Sequence, residues 1–192
     1  MDPHAPPALV DRPRYTTKAL PPYSYVPGHT PHPVSDPMGH RYGQPEEVAP
    51  PLDPADWGDS MAYRYGVDLF NHGYYWEAHE AWESLWHRAG RRGPIGDWLK
   101  ALIKLAAAAV KAREGNPHGV ERHARRAMEL VDLAVAQLPD GAASNPEQPN
   151  HYCGLSVALV EAIARGLACE AKTRFTEPRP KLVLETWLPL DH

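Results

Sequence analysis

Phe70-Asn71-His72-Gly73-Tyr74-Tyr75-Trp76-Glu77-Ala78-His79-Glu80-Ala81-Trp82-Glu83-Ser84-Leu85-Trp86-His87 is the segment around which the rest of the chain is organised. Its three tryptophans, two tyrosines and three glutamates fall within about four helical turns. At about 100° per residue, Tyr74, Tyr75, Ala78, Trp82, Leu85, Trp86 and Ala89 share one broad apolar face. Glu77, Ser84 and Arg88 are placed on the opposite, solvated side. His79 and Glu83 are four residues apart, so their side chains can meet at the border of the apolar face. A second stripe, Trp76, Glu80, Glu83 and His87, runs beside them.

Other helices follow on either side. Asp59 or Ser60 can cap a preceding helix through Tyr63, Gly66, Val67 and Phe70, which Asn71-His72-Gly73 closes. Gly90-Arg-Arg-Gly93 breaks the central helix, and Pro94 suits the first turn of the next. That helix carries Trp98, Leu102, Leu105, Ala106 and Ala109 on one face and Lys100, Lys104, Ala107 and Lys111 on another. After Gly115, Asn116-Pro117 caps a fourth helix buried through Val120, Ala124, Ala127, Val131, Ala134 and Leu138, with His123 on its border. A polar loop over 139–150 leads to a last helix through Leu155, Leu159, Ile163 and Gly166. Amphipathic helices with short links and no alternating strands predict an all-α fold. It is a compact bundle or irregular array of about five helices.

The flanks differ from this core. Residues 1–58 hold fourteen of the chain's 22 prolines, which exclude long helices and central strands there. They read as an N-terminal arm, loose over its first dozen residues and docked through Pro21 to Gly43. Within it, His32, Asp36 and His40 repeat at spacing four, but the prolines forbid a helical metal face. Residues 59–170 form the helical domain and 171–192 an extended C-terminal tail, with a β-like piece at Leu182-Val-Leu184. A net charge of −4 supplies no basic field for nucleic acid. No apolar run is long enough for a bilayer. Cys153 and Cys169 match neither a CxxC pair nor a disulfide framework, so a cytoplasmic protein is expected.

The motif Phe70-Asn71-x-Gly73-x-Tyr75-x-Glu77-Ala78-His79-Glu80-x-Trp82-Glu83-x-x-Trp86 resembles the signature of domain-of-unknown-function family 309. The run Leu99-Lys-Ala-Leu-Ile-Lys104-Leu-Ala-Ala-Ala is similar to that family's second helix. The resemblance covers roughly Met61 to Leu138, under half of the chain. It implies a cytosolic helical array and no particular activity. Members of the family often carry glutamine where this chain has Lys100 and Lys104. The arm and the His123-Ala-Arg-Arg126 run look like subgroup features.

Three chemistries compete for the motif. His79 and Glu83 can form an acid/base pair, the carboxylate fixing the imidazole tautomer. Tyr75, Trp76, Glu80, Trp86, Lys104 and His123 can line a pocket for a small polar ligand or a partner segment. Tryptophans at helical spacing can also be core alone, with the His–Glu pair satisfied at its edge. A zincin helix needs HExxH, and position 83 is Glu, so no cofactor is expected; the alternative is a divalent metal at His79 and Glu83. The reading adopted is a cytosolic binding module, with an enzyme using His79 and Glu83 second and a purely structural or assembly subunit third. Its partner is an unknown small molecule or protein, not nucleic acid or a membrane, and a homo-oligomer is an open alternative.

Overall fold

Ser60 starts the first helix as the spacing requires. Its hydroxyl accepts the Tyr63 N–H at 3.3 Å, and α1 runs Met61–Asn71 after a single 3-10 turn at Trp57–Asp59. Gly73, at φ 81°, turns the chain into α2, Tyr75–Arg88. Left-handed residues at Gly90, Arg91 and Gly93 make the tight link to α3, Gly93–Arg113. Asn116 accepts the Gly119 N–H at 2.9 Å and caps α4, Pro117–Ala136. The computed structural model describes residues 12–45, 48–138, 144–145, 148–173 and 184.

Two short hairpins follow α4. The first pairs β1, Ser144–Asn145, with β2, Gln148–Pro149; the second pairs β3, His151–Tyr152, with β4, Leu155–Ser156. The sequence reading had only loop and helix here. Cys153 and Gly154 both have positive φ, 46° and 73°, the geometry of a two-residue hairpin turn. Gly154 has a second constraint, since a Cβ there would lie 2.1 Å from the Trp57 ring. The last helix, α5, is Val157–Thr173. Its buried stripe is Val160, Ala164, Leu167 and Ala171. The expected stripe is corrected: Leu155 belongs to β4, Leu159 and Ile163 are half-buried, and Gly166 is exposed. The buried stripe runs one residue later than expected, because the face turned to α4 and α3 is the one through Val160.

The all-α expectation holds, with five helices among the described residues. Their centre is α3, which packs on α2, α4 and α5. Leu99, Ala101 and Ile103 are buried as fully as Trp98, Leu102 and Leu105, so α3 is apolar around most of its circumference, as a surrounded helix must be. Against it lies Trp82, fully buried on α2. The indole of Trp82 rests on α1 at Gly66, where a Cβ would come within 2.3 Å of Nε1. Its N–H points to the Tyr63 carbonyl at 3.4 Å, and Trp98 donates to the Tyr63 hydroxyl at 3.2 Å. Two large rings are thus buried without orphaning their polar atoms.

Candidate functional site

The arm lies on α1 and α2 through side-chain acceptors. A proline-rich segment cannot pair its backbone with a strand, so its N–H groups need other partners. On α1, buried Asp68 accepts the Tyr15 N–H at 2.7 Å and the Thr16 hydroxyl at 2.6 Å, with Arg14 Nε 3.2 Å away. Asn71 pairs twice with Leu184: its amide donates to the Leu184 carbonyl and its carbonyl accepts the Leu184 N–H, both at 2.7 Å. The backbone carbonyl of Asn71 accepts from the Arg12 guanidinium. Leu184 is fully buried. The expected extended tail is corrected at its start, since α5 continues helical to Thr173; beyond it all of the tail but Leu184, and residues 1–11 of the expected loose stretch, lie outside the described residues.

Glu77 is the correction that matters most on α2. Expected in solvent, it is only 6% exposed, because the arm covers its flank of the helix. Its Oε1 accepts the Tyr25 N–H at 2.8 Å, and Oε2 lies 3.5 Å from the Ser24 hydroxyl. Ser24 donates to the Gly73 carbonyl at 3.1 Å and accepts from Arg113 of α3 at 2.9 Å. Arg113, itself buried, stacks on the Tyr75 ring at 4.8 Å. Burial pushes the Glu77 carboxyl up to about 7, opposed by the hydrogen bonds and Arg113. Docking also buries Val26 completely and sets Tyr25 and His32 edge-on to Trp76, each at 5.2 Å between ring centroids.

Between arm and helices lies a cleft of about 650 Å³. Trp76, Glu80, Ala81 and Ser84 of α2 form its floor, with Glu77 reaching it from the side. Met61, Ala62, Tyr65 and Leu69 of α1 form one wall; Lys18, Pro21, His40 and Arg41 of the arm form the other. Both nitrogens of His40 are buried without a hydrogen-bond partner among the described residues. Burial, then Arg41, lowers its pKa, so the ring is a neutral donor and acceptor. Because both Glu77 oxygens engage the arm, the carboxylates the cleft offers a ligand are exposed Asp59 and Glu80, whose side chain is 37% exposed and whose Oε1 lies 3.2 Å from His79.

The remaining expected site residues lie elsewhere. Tyr75 is core, its ring against Phe70 at 5.2 Å. His79 hydrogen-bonds Glu80 at 3.2 Å rather than Glu83, which corrects the expected pair. Glu83 instead faces Lys100 of α3 at 4.0 Å, and that ammonium sits 3.6 Å from the centroid of the Trp86 ring. His79, Glu80 and Glu83 still converge, each offering a ligand atom within 4.8 Å of the others. His123 of α4 borders this face. Burial first, then Lys104, Arg122, Lys111 and His79, lowers its pKa to about 4, so it is uncharged at neutral pH. The motif therefore serves two surfaces. Trp76 and Glu80 belong to the cleft, His79, Glu83, Trp86, Lys104 and His123 to the opposite flank, with the His79–Glu80 bond on the ridge between them.

Sequence reasoning missed Glu77, His40, Lys18 and Arg41, all of which depend on where the arm lies. The one available signal was the lack of backbone partners in a proline chain, which calls for side-chain acceptors on the surface it covers.

The fold and site define a helical array whose first two helices carry an Asn/Glu/His/Trp motif against a docked arm. Residues 63–123 match the family model described as Domain of unknown function (DUF309). The resemblance read from the motif is confirmed over α1, α2, α3 and the start of α4, a shorter span than expected at its C-terminal end. No significant match to a curated protein or a solved structure is found.

Proposed function

We propose that this protein is a binding module whose cleft between the arm and α1–α2 receives a small polar ligand with an apolar body. The observation that carries this is the cleft itself. Its volume of about 650 Å³ falls within the range of small-molecule sites. Trp76 and Tyr65 offer aromatic faces for the body. Glu80, Lys18 and Arg41 offer both signs of charge to a head group, and His40 has two ring nitrogens to satisfy. A zwitterion fits this lining better than a simple anion or cation. Cytoplasmic residence belongs to the same proposal, supported by two free cysteines of which Cys169 is exposed. No helix among the described residues is long and apolar enough to cross a membrane.

A thermal-shift screen of zwitterionic and amphipathic fragments tests this reading. Hits should lose their effect in Trp76→Ala and Glu80→Gln, and keep it in His123→Ala on the opposite flank. Hits indifferent to Trp76 and Glu80 would refute it.

A further inference from the structure

On the ridge beside the cleft, three side chains of α2 converge in a way that ligand binding to the cleft does not need. We propose that His79, Glu80 and Glu83 form a binding site for one divalent transition-metal ion of the Zn²⁺/Co²⁺/Mn²⁺ class. The inference rests on the convergence of these atoms and is independent of the cleft reading, although Glu80 borders both.

Geometry comes first. Residues 79, 80 and 83 lie on adjoining faces of one helical turn, and one ligand atom from each lies within 4.8 Å of the other two. Ligand bonds of about 2.0–2.2 Å in a tetrahedral site place donor atoms roughly 3.3–3.6 Å apart. A closure of up to about 1.5 Å is needed, within reach of side-chain rotation alone. The His79 and Glu80 atoms are already 3.2 Å apart. A neutral imidazole offers Nδ1 when it carries its proton on Nε2, so the ion takes the place of the proton now shared with Glu80.

The donor set selects the ion. One imidazole nitrogen and two carboxylates suit borderline metals, whereas Ca²⁺ and Mg²⁺ favour all-oxygen shells. Three protein ligands leave a position open for water or another ligand. The side chains are 25%, 37% and 31% exposed, so an ion can enter from solvent without the full desolvation cost of a core site. Lys100 is the cation that ion-pairs with the site's carboxylates among the described residues, with Lys104 on the same flank. The Lys100 ammonium rests on Trp86 at 3.6 Å and only reaches Glu83 at 4.0 Å, so it neutralises Glu83 weakly. Lys100 is the site's competitor, and its removal is a distinctive test.

Full-length protein freed of metal with a chelator is titrated with Co²⁺, followed by its visible absorption, and with Zn²⁺ by calorimetry. One ion per chain is expected. His79→Ala and Glu83→Gln should each weaken binding by more than about tenfold, since even outer-shell partners of a metal site are worth about that much. Lys100→Met should tighten it. His87→Ala, whose ring is exposed and bonded to Arg91, should change nothing, and far-ultraviolet circular dichroism should show every variant folded. Binding that is equal in wild type, His79→Ala and Glu83→Gln, or that falls as much in His87→Ala, would overturn the site.

Discussion

Raising the pH through neutrality should loosen the arm, and Glu77 supplies the magnitude. Its carboxyl ordinarily titrates at 4.5 and in the folded protein at about 7. Each pH unit of such a difference is worth about 1.4 kcal/mol, so the docked state loses about 3.5 kcal/mol when Glu77 becomes charged. The folded value lies above the unfolded one, so the folded state holds the proton more tightly. The associated stability is fully present below pH 4.5, declines as pH rises, and is gone above about 7. Burial by the arm opposes the charge; the groups that face it are Arg113 from α3, Tyr74 at the N-cap of its own helix, and Ser24 and the Tyr25 N–H from the arm. Hydrogen exchange at the Tyr25 amide, corrected for its intrinsic pH dependence, reads the docking directly. Protection should fall between pH 5 and 8 in the wild type and stay nearly level in Glu77→Gln, which keeps a carbonyl acceptor and cannot ionise. Equal slopes in the two proteins would refute the assignment of Glu77 as the arm's buried anchor.

Two substitutions probe the packing on either side of that anchor. Trp82→Ala should cost about 3–5 kcal/mol in urea unfolding, because the ring is fully buried between Gly66 and the core; an unchanged midpoint would contradict that packing. Asn71→Ala leaves the Leu184 N–H and carbonyl without their partner. It should cost about 1–3 kcal/mol and deprotect the Leu184 amide to exchange, and full protection in the variant would show the pairing to be dispensable.

Caps and breakers were the most readable features of this chain. Ser60, Gly73, Gly90, Asn116 and Gly115 act locally, through hydrogen bonds to nearby backbone or through positive φ, so a short window of sequence contains their causes. Trp82 on the buried face of α2 was equally readable, because period alone places it. Glu77 was not. Its helical angle puts it toward solvent, and only a segment some fifty residues earlier, crossing that flank, makes it a buried acceptor. The same distance hid the cleft, half of whose wall is arm. His79 and Glu83 were rightly placed on one border, yet side-chain direction sent His79 to Glu80 and Glu83 to Lys100. Spacing says which residues can meet, and the neighbouring helix decides which do.

Whether the arm and the motif together build a ligand site is decided by fragment binding followed by nuclear magnetic resonance on the full chain. The Trp76 indole N–H and the His40 ring are the reporters. Fragments that bind should shift Trp76, His40 and Tyr65 together, and truncating the arm before Trp57 should abolish those shifts while the Trp82 indole keeps its folded-state signal. Fragments that shift residues of α4 and leave Trp76 and His40 unmoved would contradict that site.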